Sequence, residues 1–514
     1  MRKTLLCISL LLGLTVLPLA AEEGVATVGD ITYLSLSEAI AAANQEEEVD
    51  LLVSTMESVT INKPIILNLN GNTLSVAEGS GIRVADGVAV TINDGTITGA
   101  TDSGIYIENG TVTLNNLTII GNNASMPTRD GGGVNIDAGS LTINSSLITG
   151  NSAADGGGGI AAQAGTNLIL NNVTVSDNIS NEGGGIYLTG NTGNITNSII
   201  SHNQTRKDNQ FAVGGGIYVG TNTYVSINGS TLENNYAEEQ GGAICNYGGT
   251  LELSGSTLIT NYANYGGAIM GYIGNIIVNN DTLITNNNSN YGGGIFSSSN
   301  NLTIADGAMI YNNIGITAAA DIYSYGGSLC LGAVGSNLIL AEDNENIDGW
   351  YLDYSPRWST DFSVVANNTA YGIKAAHAFK EYSSYTVAYV DKENNLPTAE
   401  EKIVDKIEVG TQITEEALIL NGYTLISDAI ISITIGSETN SIIFYYNINK
   451  KVPTIEPTSS SDTTPTVKPV PTSTPKSNSS SEVEIIEEEN TPQAAQNHHN
   501  YVLVRTDCKA EAFN

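Results

Sequence analysis

The sequence predicts an all-β protein built on a single-stranded right-handed parallel β-helix of about ten to eleven coils, three strands per coil. One pattern recurs: a Gly-Gly pair, an apolar residue, then short apolar strands separated by turns. The repeats are 23–31 residues long, which leaves no room for a helix of ~10 residues beside three strands. One repeat cannot bury its own apolar face, so the repeats must stack. The apolar residues that mark the repeats are Ile82, Ile105, Val134, Ile160, Ile186, Ile217, Ile244, Ile269, Ile295 and Ile322.

Alternation and asparagine spacing support the same fold. Leu251 and Leu253 flank Glu252, and such alternation indicates a strand with one buried face. Asparagines recur near one corner of successive coils, where asparagine tolerates left-handed backbone and stacked amides can form a ladder. We interpret them as structural rather than ligand-binding. They are Asn151, Asn178, Asn203, Asn235, Asn261, Asn287 and Asn313.

The Gly-Gly-(Ala/Gly)-Ile openings followed by x-x-Asn resemble the repeats of chlamydial polymorphic outer membrane proteins and of pectin-lyase-like surface proteins. The resemblance covers about residues 50–345. The chlamydial pattern favours Phe-x-x-Asn, whereas this chain has Ile or Leu in place of Phe, as at Leu258 before Asn261. No C-terminal β-barrel pattern follows, which argues against an autotransporter. The resemblance implies a β-helix and no particular activity.

Residues 1–21 are predicted to be a signal peptide. Arg2 and Lys3 form its charged start, an apolar core follows, and small residues end it at Ala21. The chain has 19 Lys and Arg against 53 Asp and Glu, a net charge of -34. This charge suits an exported protein and argues against nucleic acid or an anionic membrane surface as partner. We expect a monomer that is not inserted into a membrane after signal removal.

Residues 22–75 are predicted to form an N-terminal cap and the first coils, because an open β-helix end would expose unpaired strand edges. The cap contains apolar residues at helical spacing, with Ser35 or Ser37 as the expected N-cap. Those apolar residues are Leu36, Ala39, Ile40 and Ala43.

Residues 76–345 are predicted to form the β-helix. Residues 346–381, which contain both tryptophans, are predicted to close its C-terminal end, where an apolar coil would otherwise face water. Residues 452–514 begin with a Pro/Ser/Thr-rich linker and are predicted to be a disordered tail. No cell-wall anchor motif or apolar stretch of ~20 residues follows. We therefore hypothesise that the tail is truncated or frame-shifted.

Residues 382–451 are predicted to be a small β domain. Alternating strands are separated by polar turns. Three segments resemble the MucBP-like β-grasp modules of Gram-positive surface proteins: Tyr389-Val390-Asp391, Gly422-Tyr423 and Phe444-Tyr445-Tyr446. The resemblance implies an adhesin module and no chemistry.

The cysteines are not expected to form a metal or disulfide site within the β-helix. Cys245 and Cys330 lie three coils apart, ~14 Å along the axis at the spacing of paired strands. Disulfide Cα atoms lie within about 7 Å of each other. We predict no bridge between these two cysteines, no zinc site and no cofactor.

Catalysis is the less favoured hypothesis. No Lys or Arg lies between Lys207 and Arg357, and His202 is the only histidine of the predicted β-helix. The enzymes of the pectin-lyase-like group need His or basic residues beside their carboxylates. If the protein is an enzyme, the catalytic candidates are Asp155 and Glu182, at one corner of adjacent coils ~5 Å apart. The same pair could instead hold a cation or be solvated loop charges.

Two insertions predict a ligand-binding face. Residues 122–130 and 205–213 lengthen two coils at the same corner, and insertions in repeat proteins map to one face that often binds a partner. They carry Arg129, Arg206 and Lys207, three of the few basic residues in the β-helix. These residues are predicted to contact a ligand.

A stripe of large residues on the outer face is the second candidate site. If each marker residue points inward, the residue after it points outward. Aromatic rings stack on sugars and anchor protein contacts, although a stacked ladder that stabilises the sheet is the alternative. The stripe consists of Tyr106, Tyr187, Tyr218, Met270, Phe296 and Tyr323.

These observations together favour an adhesin-like protein on the cell wall of a Gram-positive bacterium, whose β-helix presents a lateral surface to an extracellular glycan or a host or matrix protein. The first alternative is a polysaccharide lyase or glycoside hydrolase, and the second is a passive stalk. Carboxylates clustered with a basic residue in a groove would favour the enzyme.

Overall fold

The computed structural model describes residues 24–125, 130–206, 211–354, 357–361 and 370–450. The predicted signal peptide, Arg129, Lys207 and the predicted tail lie outside these residues. The chain forms two compact units, one that reaches Phe379 and one that begins at Lys380.

The first unit is a right-handed parallel β-helix, as predicted. Each coil adds one strand to each of three parallel sheets, which we number in the order in which a coil passes through them. Sheet 1 begins at the marker residues, and its strands pair in register, Ile105 with Val134 and Val134 with Ile160. Its strands are Val59–Ile61, Ile82–Val84, Ile105–Ile107, Val134–Ile136, Ile160–Ala162, Ile186–Leu188, Ile217–Val219, Ile244–Asn246, the starts of Ile269–Val278 and Ile295–Ile304, and Ile322–Tyr325.

Sheets 2 and 3 complete each coil, and four long strands bend from one sheet into the next. Sheet 2 contains Glu47–Leu51, Ile65–Asn68, the starts of Val88–Thr98 and Gly110–Ile120, Gly139–Asn144, Thr166–Asn171, Thr192–Thr196, Tyr224–Asn228, Thr250–Ser254, the ends of Ile269–Val278 and Ile295–Ile304, and Ser328–Leu331. Sheet 3 contains Thr55–Met56, Thr73–Ser75, the ends of Val88–Thr98 and Gly110–Ile120, Leu147–Thr149, Thr174–Ser176, Ile199–Ser201, Thr231–Glu233, Thr257–Ile259, Leu283–Thr285 and Met309–Tyr311.

A short ladder follows sheet 3 at the corner that leads back to sheet 1. It pairs Asn123–Ala124, Ser152–Ala153, Ile179–Ser180 and Gln204–Thr205, and further along the axis Asn288–Tyr291 pairs with Ile314–Ala318. The two insertions follow Asn123–Ala124 and Gln204–Thr205, so both leave from the same corner, as predicted.

The inward residues of the three sheets form one continuous apolar core along the axis. Ile186 and Leu188 of sheet 1, Ile195 of sheet 2 and Ile200 of sheet 3 are fully buried. Such burial contributes about 1.5–3 kcal/mol per large side chain. Because each coil alone would leave this surface exposed, neighbouring coils stabilise one another.

The predicted asparagine ladder is confirmed. Asn151 Nδ2 donates to Asn178 Oδ1 at 3.1 Å, and the pattern repeats coil after coil inside the corner. The ladder ends at Asp321, whose Oδ1 accepts from Asn313 Nδ2 at 2.8 Å. Its members are Asn122, Asn151, Asn178, Asn203, Asn235, Asn261, Asn287 and Asn313.

The N-terminal end is capped by a helix and two strands. Strands Ala26–Val28 and Ile31–Tyr33 pair antiparallel before the helix Leu36–Ala42. Ser35 is its N-cap, because its Oγ accepts from the Glu38 backbone N at 3.1 Å. The predicted helix and cap are therefore present.

The C-terminal end is closed by strands that reverse direction. Ala370–Ala376 pairs antiparallel with Ile322–Tyr325 and with Gly349–Asp353, which also pairs with Arg357–Asp361. Trp350 is buried there, and its Nε1 donates to the Gly332 carbonyl at 2.9 Å.

The second unit is a small β domain. Its four-stranded sheet places Tyr382–Asp391 parallel to Asn440–Ile448 at the centre, with Lys402–Glu408 and Tyr423–Leu425 antiparallel at the edges. Gln412–Glu416 and Ile430–Thr434 form a separate pair. The MucBP-like assignment of this unit stays a prediction.

Candidate functional site

The outer face of sheet 1 carries three parallel columns of side chains. The central column contains the residues directly after the markers: Arg83, Tyr106, Asn135, Ala161, Tyr187, Tyr218, Cys245, Met270, Phe296 and Tyr323. The leading column lies four residues before the markers and contains Asp130, Gly156, Glu182, Val213, Gln240, Tyr265 and Tyr291. The trailing column lies three residues after the markers and contains Glu108, Asp137, Gln163, Thr189, Gly220, Tyr247, Tyr272, Ser298 and Tyr325.

The predicted stripe is the central column, and most of it forms stacked pairs. Tyr187 stacks on Tyr218 with ring centroids 5.1 Å apart, and Phe296 stacks on Tyr323 at 4.9 Å. These rings are half-buried, with their faces turned toward one another along the axis. Such stacking stabilises a sheet, so these two pairs behave as the ladder that was the alternative interpretation.

Met270 is not accessible, although it lies in the predicted register. It is 5% exposed and packs with Cys245 and Val213 in a small cluster outside sheet 1. Tyr265 of the leading column packs against the same cluster. Cys245 is a free thiol, which agrees with the predicted lack of a bridge to Cys330, and burial raises its pKa.

The trailing column holds an open pair of tyrosines that the sequence analysis did not identify. Tyr272 is in register with Ser298, which is in register with Tyr325. One face of the Tyr272 ring stacks on Tyr247 at 5.1 Å, so its other face points along the axis toward the coil of Ser298. Tyr272 is 37% exposed and Tyr325 is 48% exposed. We call the space between these two tyrosines, above Ser298, the tyrosine slot.

The signal for this slot was present in the sequence. Tyrosine follows the marker by three residues at Tyr247, Tyr272 and Tyr325. The short strands of sheet 1 end near this position, so alternation along the strand did not predict its direction.

Four carboxylates lie together on the same face, in coils nearer the N-terminal end than the tyrosine slot. They belong to Asp130, Asp137, Asp155 and Glu182, and we call them the acidic corner. Glu182 pairs in register with Gly156, so Asp155 lies one residue earlier in its coil than the position facing Glu182. The Glu182 backbone N donates to the Asp155 carbonyl at 3.1 Å. The structure thus brings the predicted pair Asp155 and Glu182 together and adds two further carboxylates.

Hydrogen bonds orient two of these carboxylates. Asp130 Oδ1 accepts from the Gly156 backbone N at 2.7 Å, and its Oδ2 accepts from Gln163 Nε2 at 2.6 Å. Asp137 Oδ2 accepts from the Tyr106 hydroxyl at 2.6 Å. The Asp130–Gln163 bond runs from the leading to the trailing column, across the central column.

Burial and like charge govern the electrostatics of the acidic corner. Burial, then repulsion from Asp155 and Asp130, raises the pKa of Glu182 to about 7. Burial is also the largest cause that raises the pKa of Asp130, with Asp155 and Asp137 adding repulsion. Burial and the charges of Glu182, Asp130 and Asp155 raise the pKa of Tyr187 to about 12. A carboxyl that holds its proton near neutral pH can donate that proton to a substrate.

The predicted basic contacts are only partly described. Arg206 Nη2 lies 3.4 Å from the Ala153 carbonyl, two coils back along the short ladder. Arg129 and Lys207 lie outside the described residues. Within the described part of the chain, no three His, Cys, Asp or Glu side chains are placed to hold a metal ion. Among the same residues, no helix has the length and apolar character of a membrane span.

Comparison with protein families supports the β-helix. The family described as right-handed β-helix region matches residues 80–261. No curated protein matches the chain. The crystal structure of the enzymatically active domain of tailspike protein 2 from bacteriophage CBA120 is 15% identical, with a TM-score of 0.40, over 56% of this chain and 48% of that one. The full-length tailspike protein 2 of an Escherichia coli O157:H7 bacteriophage is also 15% identical, with a TM-score of 0.39, over 55% of this chain and 44% of that one. The chain therefore spans less than half the length of either structure.

Proposed function

We propose that this protein is an exported, adhesin-like surface protein that binds a polysaccharide on the outer face of sheet 1. The tyrosine slot is the observation that carries the proposal. The small β domain, if it is MucBP-like, and the Pro/Ser/Thr-rich linker would hold the β-helix away from a Gram-positive cell wall.

The dimensions of the slot suit a sugar ring. Tyr272 and Tyr325 are separated by two coil spacings, roughly 10 Å. A sugar ring between two aromatic rings needs about 4 Å of contact distance on each side, roughly 8 Å in all. Ser298 lies between them in register, with a side chain much smaller than a tyrosine ring, and its hydroxyl offers a donor and an acceptor. The slot can therefore hold one ring by its faces.

A binding assay with paired tyrosine variants tests this function. We expect the full chain to be retained on at least one member of a panel of immobilised mucins and plant polysaccharides. Tyr272→Ser combined with Tyr325→Ser should weaken that binding by about ten-fold or more, because two stacking contacts of about 0.5–1.5 kcal/mol each are lost. Circular dichroism checks that the fold is kept.

The control variant removes tyrosines of equal exposure from another part of the surface. Tyr236 and Tyr262 stack at 5.4 Å and are 42% and 38% exposed, but they lie in the short ladder outside the three columns. Tyr236→Ser with Tyr262→Ser should bind like the wild type. Equal loss in both double variants would contradict the slot, and no retention on any polysaccharide would leave the passive stalk as the better explanation.

A second candidate function is glycoside hydrolysis at the acidic corner. The raised pKa of Glu182 beside Asp155 and Asp130 is the observation that favours it. Glu182 would act as the general acid, and a neighbouring carboxylate as nucleophile or base. Mass spectrometry of the same assay mixtures decides between the two functions. Oligosaccharide release that Glu182→Gln abolishes would establish the enzyme, while retention without release supports the binding protein.

A further inference from the structure

We propose that the acidic corner binds an ammonium group, so that the polysaccharide ligand is one that carries free amino sugars. This inference rests on the proposed polysaccharide binding and names the chemical class of the ligand. The acidic corner and the tyrosine slot lie on the same face, and their centres are five coils or roughly 24 Å apart along the axis. A linear polymer lying along the β-helix can contact both.

No described lysine or arginine neutralises the acidic corner. Among the described residues, no lysine or arginine forms an ion pair with any of its four carboxylates. The nearby Arg83 pairs with Glu108 instead. Mutual repulsion within the acidic corner adds to the effect of burial and raises the pKa of Asp130 and of Glu182. A bound cation would relieve this repulsion, whereas an anionic sugar such as a uronate would increase it.

A buried amide oxygen at the same place lacks a hydrogen-bond donor. Asn135 is 6% exposed, and its Oδ1 has no hydrogen-bond partner. Its Nδ2 donates to Asp137 Oδ1 at 2.9 Å, which fixes the amide within the acidic corner. An ionised carboxylate cannot donate to this oxygen, whereas an ammonium group carries three donors. Leaving such an oxygen unpaired costs about 1–3 kcal/mol, which a donor-bearing ligand would recover.

The arrangement suits an ammonium group better than a metal ion. Metal ions need ligands at fixed short distances in a defined geometry. As noted for the described residues, no three of the acidic side chains converge in this way. An ammonium group accepts wider spacing and is also attracted to aromatic rings. The ring of Tyr187 lies over Gly156 at one side of the acidic corner, since a Cβ built on Gly156 would lie 2.8 Å from it.

Gln163 covers the position that the ammonium group would take. Its bond to Asp130 crosses the central column where Asn135 and Ala161 lie, which accounts for their burial. Gln163 is partly exposed and is held there by a single hydrogen bond. An ammonium group can replace that bond, because it donates to the same Asp130 oxygen and to the Asn135 oxygen beneath.

The test compares two hexasaccharides that differ only in their amines. The full chain is titrated with the β-1,4-linked hexamers of glucosamine and of N-acetylglucosamine at pH 6, followed by calorimetry. We expect the glucosamine hexamer to bind about ten-fold or more tightly, a difference typical of one charge-assisted contact. Asp155→Asn with Glu182→Gln should remove this preference, because two of the four carboxylates are lost. Neither side chain makes a hydrogen bond that orients the corner, so the rest of the corner should keep its geometry.

The matched control removes two carboxyl groups elsewhere. Asp177 and Asp281 are exposed residues with positive φ, a backbone region that asparagine tolerates. Asp177→Asn with Asp281→Asn should keep the preference, which excludes an effect of net charge alone. Equal affinity for the two hexamers, or equal loss of the preference in both double variants, would overturn the ammonium site. The double variant Tyr272→Ser with Tyr325→Ser separates the two proposals. If it loses polysaccharide retention while the wild type shows no preference for the amine, the proposed function stands and the ammonium site does not.

Discussion

Glu182 and Asp321 are two acidic side chains that hold their protons to unusually high pH for different reasons. Burial is the largest cause for both, and each has a pKa of about 7. Glu182 is surrounded by other carboxylates. Asp321 is surrounded by donors, from Asn313 and from the Ala375 backbone N at 2.8 Å. The same raised pKa thus marks a partly buried candidate site in one case and the internal end of the asparagine ladder in the other.

The pH dependence of stability tests the environment of Glu182. Because its pKa is raised from 4.5 to about 7 on folding, the folded state binds its proton more tightly than the unfolded state does. The associated stability is present below pH 4.5 and is lost as the pH rises through 7. As the pH rises from 4.5 to 7.5, we expect the free energy of unfolding of Glu182→Gln, measured in urea, to increase relative to that of the wild type. Glu233→Gln, which removes the same charge from sheet 3, should show no such change, and a pH-independent difference for Glu182→Gln would contradict the raised pKa.

At the residue scale, the sequence indicated the acidic pair but not its surroundings. Asp155 and Glu182 were placed on adjacent coils by counting repeats. The repeat length puts Asp130 in an insertion, and nothing in the sequence distinguishes Asn135 from the many other asparagines. Whether a side chain meets a neighbour two coils away depends on rotamers and on the bend of the insertion, which the repeat length does not specify.

The asparagine ladder is an element in which each side chain satisfies backbone and side-chain groups in two coils. Asn235 Nδ2 donates to the Ile200 carbonyl at 2.8 Å and to Asn261 Oδ1 at 3.0 Å, and its Oδ1 accepts from Asn203. Removing one member therefore leaves several buried polar groups unpaired. Each such group costs about 1–3 kcal/mol.

We expect Asn235→Ala to lower the free energy of unfolding by at least about 2 kcal/mol in urea denaturation. Asn171→Ala is the control, because Asn171 is exposed on sheet 2 and donates only to Asn144 Oδ1. Its loss should cost less than about 1 kcal/mol. Similar costs at the two positions would mean that the internal ladder contributes little to stability.

At the scale of elements, the sequence predicted those that depend on local pattern. The helix with Ser35 as its cap and the three strands of each coil follow from spacing and alternation. The first four strands of the short ladder after sheet 3 have two residues each, as at Gln204–Thr205, and are too short to show alternation. The antiparallel closure by Ala370–Ala376 depends on contacts far apart in the chain, and it is buried on both faces, Lys374 included, so polar and apolar residues do not mark an inner and an outer face.

The β-helix as a whole is close to a one-dimensional stack, in which the main-chain pairing of each coil is with its two neighbours. Gly215 shows how tightly they approach, since a Cβ there would lie 2.4 Å from the Gly242 carbonyl oxygen and 2.5 Å from that of Tyr236. A defect in one coil should therefore weaken the adjacent coils first and distant coils least.

Hydrogen exchange by mass spectrometry tests this locality. We expect Gly215→Ala to raise exchange strongly in Ile186–Leu188 and Ile244–Asn246, while Ile65–Asn68 keeps its protection. Gly193→Ala is the milder control, because its Cβ would meet only side chains, the nearest being Leu188 Cδ2 at 3.2 Å. A uniform rise along the entire β-helix in Gly215→Ala would instead indicate a single cooperative unit.

The architecture of the whole molecule was the most predictable part of this protein. A repeat of fixed length constrains every coil at once, so small errors in one strand do not change the stack. The functional face was less predictable, because it depends on which side chains of the three columns are exposed to solvent. Met270 and Tyr272 are two residues apart in one strand, yet the first is buried and the second is open.

The asparagine ladder also has a direction, and this sets where the protein can change length. Between side chains, every amide nitrogen in it donates to the amide oxygen of the next coil, and every amide oxygen accepts from the coil before. Asp321 accepts a hydrogen bond from Asn313 but has no amide nitrogen that could donate to a further coil. Its other oxygen accepts from the Ala375 backbone N of the closing strand. A duplicated coil inserted before Asp321 finds a donor on one side and an acceptor on the other. Gene duplication can therefore lengthen the reach of this molecule from within, while its closing end stays the same.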